Sequence, residues 1–204
     1  MLRKAAVCSV VAAMAMAMTG NSASASEMRQ GIEVFGIGRF MTGDDTRFDA
    51  ESPFDGEAGF DVDPSFMLGA GFGINFNAFI NLNFTLAGGP CDFEYINLGE
   101  IVIEDGTIVT GDVNLDLYLI DGPVTPFITG GIGFVSTNGE RRGDGEGEDV
   151  GETNPAGNFG GGVRFDFGDH LFMKLLYRAT LTTLEDAADN LLFHSGGVAV
   201  GWRF

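Results

Sequence analysis

An all-β fold, an eight-stranded antiparallel up-and-down transmembrane β-barrel, is predicted by four features of this sequence. One segment alternates strictly between polar and apolar residues. Segments of the same kind recur along the chain. An export signal precedes them, and the connections between them alternate between long and short.

Residues 110–119, TGDVNLDLYL, carry the alternation most plainly. Asp112, Asn114, Asp116 and Tyr118 fall on one face, and Val113, Leu115, Leu117 and Leu119 on the other. This is the two-residue period of a strand with one wet and one apolar side. A half-buried strand of a soluble sandwich alternates in the same way, so the surrounding sequence decides between them.

Residues 1–25 read as a cleavable signal peptide. Arg3 and Lys4 form the charged start, residues 5–18 the apolar run, and Ala23-Ser24-Ala25 the small-residue cleavage site. The apolar run falls short of the roughly 20 residues that a membrane-spanning helix needs, and no later segment reaches that length. Cys8 lies inside the apolar run, so it does not read as a lipoprotein cysteine. Only Cys91 then remains after cleavage, which leaves no internal disulfide, and it falls in an expected loop. The remaining 26–204 are expected to form one barrel domain. Among the 204 residues are 32 Gly and only 6 Pro, with 19 Phe, 3 Tyr and 1 Trp. So many aromatics argue against disorder, and glycine and aromatics recurring in short alternating segments suit a barrel.

Taken in order, residues 31–42 form the first strand, with Ile32, Val34 and Phe40 on one face and Glu33, Phe35, Ile37, Arg39 and Met41 on the other. Residues 43–64 read as a loop with eight acids and one base, Arg47. Residues 65–75 and 78–87 form a hairpin with matching faces across a tight turn at Phe76-Asn77. A second long loop is expected over 88–109, where residues 101–103 offer an extension of a strand. The strand at 110–119 leads through Asp121-Gly122-Pro123 into a strand at 126–136, whose outward set is Ile128, Ile132 and Phe134. A third long loop, 137–157, is acidic and glycine-rich. Strands at 158–167 and 171–182 flank a turn at Gly168-Asp169. The last loop, 183–190, precedes a strand that ends Val198-Ala199-Val200-Gly201-Trp202-Arg203-Phe204. Segments of about ten residues suit strands that cross a bilayer at a tilt of about 45°. Long outer loops and short inner turns are the asymmetry of outer-membrane barrels.

A bilayer tolerates helices or closed sheets, because open strand edges leave backbone groups unpaired. The Val, Leu, Ile and Phe set therefore faces lipid. The lumen receives Glu33, Arg39, Asp112, Asn114, Asp116, Arg164, Asp166, Lys174, Arg178 and Arg203. With the faces reversed, these charges would meet hydrocarbon, where a basic residue near the midplane costs roughly 2–4 kcal/mol. Eight strands enclose only enough room for their own side chains. The lumen is thus expected to be a filled polar core.

With the export signal, the alternating strands, PFITGGIGF at 126–134, GGGVRFDFGDHLFMKLLYR at 160–178 and a terminal Trp-x-Phe, the chain resembles the OmpA-like and opacity-type small outer-membrane barrels of Gram-negative bacteria. The resemblance covers residues 27–204. It implies a cell outer-membrane location, periplasmic termini, and insertion by the barrel assembly machinery, for which Trp202 and Phe204 are the assembly signal. It also implies ligand or partner contacts made by the surface loops; outer-membrane lipid and lipopolysaccharide are expected partners of the barrel. No peptidoglycan-binding domain is expected after Phe204.

Some eight-stranded relatives are lipid A deacylases with a Ser/His pair on the lipid face. Here His194 and Ser195 are adjacent and project to opposite faces, so no catalytic site is expected. Arg142-Gly143-Asp144 reads as a solvated loop triplet rather than an adhesion motif, and His170 as a turn residue. No cofactor is expected. The acidic run 144–152 lacks the spacing of an EF-hand, yet hard divalent cations favour the oxygen ligands such loops supply. A formal net charge of −18 excludes nucleic acid as a partner. The leading reading is a non-enzymatic barrel with a structural role in the envelope that presents acidic loops. Its alternatives are a narrow, porin-like passive channel for small solutes and a soluble lipocalin-like carrier, whose faces would be reversed.

Overall fold

A computed structural model describes residues 30–44, 60–97, 100–102, 105–141, 148–183 and 190–204. The expected signal peptide, the Arg142-Gly143-Asp144 triplet and the tips of the acidic loops lie outside the described residues. The described residues form nine strands: β1 (Gly31–Asp44), β2 (Phe60–Asn75), β3 (Ile80–Asn97), β4 (Glu100–Val102), β5 (Asp105–Tyr118), β6 (Val124–Arg141), β7 (Glu148–Phe167), β8 (Leu171–Thr183) and β9 (Asn190–Arg203). Eight of them close a barrel. Each pairs antiparallel with its neighbour in sequence, and β1 meets β9 through Glu33↔Arg203 to Asp44↔Leu192. The short β4 pairs with the end of β3, Tyr95↔Val102 to Asn97↔Glu100, and stands outside the ring.

The first and last described residues, Gln30 and Phe204, and the three short turns share one end of the barrel, called here the turn end; the opposite one is the loop end. Asn77 caps the first turn, where its Oδ1 accepts from the backbone N–H groups of Phe79 at 2.7 Å and Ile80 at 2.9 Å. Gly122 and Gly168 supply the backbone of the other two, at φ +150° and +70°. Few residues other than glycine adopt these angles without strain.

The alternation sets the sides. Asp112, Asn114, Asp116 and Tyr118 are buried inside, and Val113, Leu115, Leu117 and Leu119 are exposed outside. A broad apolar band covers the described exterior, with Leu68 64%, Phe159 65% and Ile132 73% exposed. Such a surface is unsustainable in water and natural in lipid. Phe76, Phe79, Phe167, Trp202 and Phe204 ring its turn end, and Phe40, Phe66, Phe134 and Tyr177 lie towards the other. These are the aromatic girdles of a membrane barrel.

Several strands run further than expected at the loop end, which corrects the loop bounds at 43–64, 88–109 and 137–157. Strand β2 begins at Phe60, β3 continues to Asn97, β5 begins at Asp105, and the β6–β7 ladder extends to Arg141↔Glu148. Gly88-Gly89-Pro90 reads as a strand breaker, but the ladder to β5 passes through it as Pro90↔Thr107. The β2–β3 register is interrupted between Val62 and Leu68, opposite Pro90. A residue without an N–H is tolerated where pairing is already broken. Pro155 is accommodated similarly, because the β7–β8 ladder starts at Ala156↔Thr182. Cys91, expected in a loop, is consequently a buried residue of β3 that faces the lumen.

Candidate functional site: the lumen

Among the described residues, the buried ionisable side chains concentrate in the lumen. At the turn end Arg164, fully buried, donates from Nη1 to Glu33 Oε2 at 2.8 Å and to Tyr118 Oη at 2.9 Å. Its Nε reaches Asp166 Oδ1 at 3.0 Å, and its guanidinium lies 4.2 Å from the centre of the Phe172 ring. Lys174 Nζ donates to Glu33 Oε1 at 3.0 Å and to Asp116 Oδ2 at 3.1 Å. Arg203 pairs with Asp166 at 3.3 Å, and its Nη2 donates to the Asp169 carbonyl at 2.7 Å. Asn75 donates to Glu33 Oε2 at 3.1 Å and accepts from Asn81, which accepts from Asn83. Glu33 thus takes charged hydrogen bonds from two strands on the far side of the chain, β7 and β8.

A second tier lies nearer the loop end. Asp112 Oδ2 accepts from Arg178 Nη1 at 2.8 Å and lies 3.6 Å from Arg39 Nη1. Asn158 donates to its other oxygen at 3.3 Å, and Arg39 Nη2 donates to Thr110 Oγ1. Asn114 is buried in the lumen, but neither atom of its amide has a partner among the described residues. Above this tier the filling is mostly apolar, with Ser65, Asn154 and Thr182 buried beside it. Met41, Met67, Cys91, Ile108, Val135, Ala156 and Phe193 form a buried cluster that plugs the loop end. Sequence reasoning missed this plug. The available signal was that β2 and β5 place Met67 and Ile108 on their inward, otherwise mostly polar or glycine-bearing, faces, and that Met41 follows Phe35 and Ile37 on the inward face of β1.

Lumen glycines make room for the charges opposite them. Glu33 pairs across β1 and β2 with Gly73. A Cβ built on Gly73 would lie 2.8 Å from Glu33 Cγ and 2.9 Å from Asn81 Nδ2. Gly73→Ala is therefore expected to displace the carboxylate from Arg164 and Lys174 and to cost about 1–3 kcal/mol. Urea unfolding of the refolded barrel measures it, and an unchanged midpoint would show that Glu33 has room to spare.

His194 and Ser195 do lie on opposite faces. Ser195 is buried inside and donates to the Arg178 carbonyl at 3.3 Å, whereas His194 Nδ1 lies outside at 2.5 Å from Tyr177 Oη. His170, at the turn end, stacks on Trp202 at 5.1 Å, and its Nδ1 is 3.0 Å from the Arg203 carbonyl.

A closed antiparallel barrel with an apolar exterior, aromatic girdles and an ion-paired interior is an outer-membrane barrel. The chain belongs to the outer membrane protein beta-barrel domain family, whose model matches residues 5–204. Solved structures share the fold at low identity. Neisserial surface protein A matches with a TM-score of 0.57 and 12% identity, over 86% of this chain and 98% of that one. The outer membrane protein OprG of Pseudomonas aeruginosa matches at 0.56 and 13%, over 86% and 97%. Ail, the attachment invasion locus protein of Yersinia pestis, solved with the heparin analogue sucrose octasulfate, matches at 0.53 and 17%, over 86% and 99%. Among curated proteins none matches this chain.

Proposed function

We propose that this protein is a sealed, non-enzymatic barrel with a structural role in the outer membrane, its termini in the periplasm and its acidic loops outside. The observation that carries this reading is the filling of the lumen at successive levels: an ion-paired tier, a second charged tier and an apolar plug. An ion crossing it would have to break buried salt bridges and then pass a layer of mostly apolar side chains. Purified, refolded protein in a planar bilayer is expected to pass no current that scales with salt. Steady single-channel steps would replace this reading with that of a narrow porin-like channel.

The loop end carries the charge that meets the surroundings. Most of the chain's 29 acids fall in the outer connections, opposed by Arg47, Arg141 and Arg142. Such a rim gathers cations and repels anions, with screening beyond about 10 Å at 0.1 M salt. Divalent cations, in this reading, bridge its carboxylates to lipopolysaccharide phosphates.

Assembly is proposed to depend on the last strand. Val198, Val200, Trp202 and Phe204 all point outward, and the Phe204 N–H donates to the Ile32 carbonyl at 2.9 Å, beside the seam that closes the barrel. Deleting Phe204 is expected to lower the heat-modifiable, folded fraction recovered from outer membranes. Equal recovery would remove the terminal residue from the assembly signal.

A further inference from the structure

Charge in the lumen is not balanced at every level. At the turn end three carboxylates, Glu33, Asp116 and Asp166, meet three cations, Arg164, Lys174 and Arg203. In the second tier Asp112 alone serves two buried guanidinium groups, those of Arg178 and Arg39. Among the described residues one cation is therefore left over, with the apolar plug on one side and the balanced tier on the other. A buried charge without a counter-charge is strongly unfavourable.

Beside Arg178 lies a cavity of about 20 Å³, between the two tiers. Arg178, Lys174, Asp116 and Thr129 line it, with Phe35 and Phe127 among its apolar walls. Two atoms of the lining side chains, Arg178 Nε and Thr129 Oγ1, are buried without a hydrogen-bond partner among the described residues. Arg178 is itself 4% exposed and Thr129 7%. A guanidinium N–H only donates, and a threonine hydroxyl donates equally well, so both ask for an acceptor. The volume suits a single particle about the size of a water molecule. Water would satisfy the donors and leave the surplus charge, whereas a small anion answers both. Asp116, on the same wall, is already matched by Lys174 at 3.1 Å.

We propose that the barrel folds around one small monovalent anion, a halide, held in this cavity by Arg178 Nε and Thr129 Oγ1. The anion is a captive counter-ion: it enters as the strands close and leaves when they open. This goes beyond the sealed-barrel reading, and the two fail separately, since current across a bilayer tests one and halide linkage the other.

The test is urea unfolding of the full barrel in detergent at fixed ionic strength, with sodium chloride exchanged against sodium gluconate, an anion too large for the cavity. Above the dissociation constant of the site, each tenfold rise in chloride should raise the folded-to-unfolded ratio about tenfold, the linkage of one ion. Arg178→Gln removes the surplus cation and should flatten that dependence. Thr129→Val should shift it to higher chloride. Protein refolded and crystallised in sodium bromide should show an anomalous peak within hydrogen-bond reach of Arg178 Nε, which decides the matter even if Arg178→Gln does not fold. Equal stability in chloride and gluconate, a full chloride dependence retained by Arg178→Gln, or a cavity holding water without an anomalous peak would each overturn the proposal.

Discussion

Replacing Arg164 with alanine is expected to destabilise the barrel by about 3–5 kcal/mol, the cost of breaking a buried pair by removing one partner. Arg164 is fully buried and holds Glu33 at 2.8 Å and Asp166 at 3.0 Å, donates to Tyr118 and packs over Phe172. Glu33 is itself fully buried, so the change strands a carboxylate that no water reaches. Lys174 still holds Glu33 Oε1, which keeps the loss from being larger. The urea midpoint of the refolded barrel, with an unchanged slope, measures the effect. Arg164→Lys keeps the charge but loses the forked geometry that serves Glu33, Asp166 and Tyr118 together, so it should recover only part of the loss. A midpoint within about 0.5 kcal/mol of the unmodified protein would mean that water enters the turn end and solvates Glu33, since substitutions away from buried networks fall in that range.

Which side of the sheet each residue takes was legible in the sequence, because a strand offers only two sides and the penalty for a charge in lipid separates them. The alternation in residues 110–119 is the clearest case, and the inward placement of Arg164, Lys174 and Arg203 follows the same logic. The partners were not legible. Glu33 and Arg164 lie 131 residues apart, and Glu33 and Lys174 lie 141 apart. Only the closure of β1 onto β9 and the stagger of the strands bring them to one level, and neither is written in the local pattern. Strand ends at the loop side were misplaced for a different reason. Glycine and proline in 88–90 are local breaking signals, but an antiparallel ladder tolerates them where one neighbour is already irregular. The surplus of cations over carboxylates was countable from the sequence, whereas its location in the second tier needed the register.

The plug is where that register has its largest consequence for sealing, and Ile108 is at its centre. Ile108 is fully buried, paired across β3 and β5 with Gly89, and clusters with Met67, Cys91 and Val135 inside the loop end. Gly89 carries no side chain into the lumen, so nothing at the position directly across the ladder is placed to fill the space that truncation would leave. Ile108→Ala is accordingly expected to cost about 2–5 kcal/mol, the upper end holding if the surrounding side chains cannot collapse into the gap. Conductance should stay absent, because Arg39, Arg178 and Asp112 still close the lumen one level below. Two measurements on one variant therefore separate the layers: the urea midpoint reports the plug, and the bilayer current reports the charged tier. A loss below about 0.5 kcal/mol would show a loose, hydrated loop end, since large-to-small changes in a packed core cost more than that. Current appearing in Ile108→Ala alone would show that the plug, and not the ion pairs, is the seal.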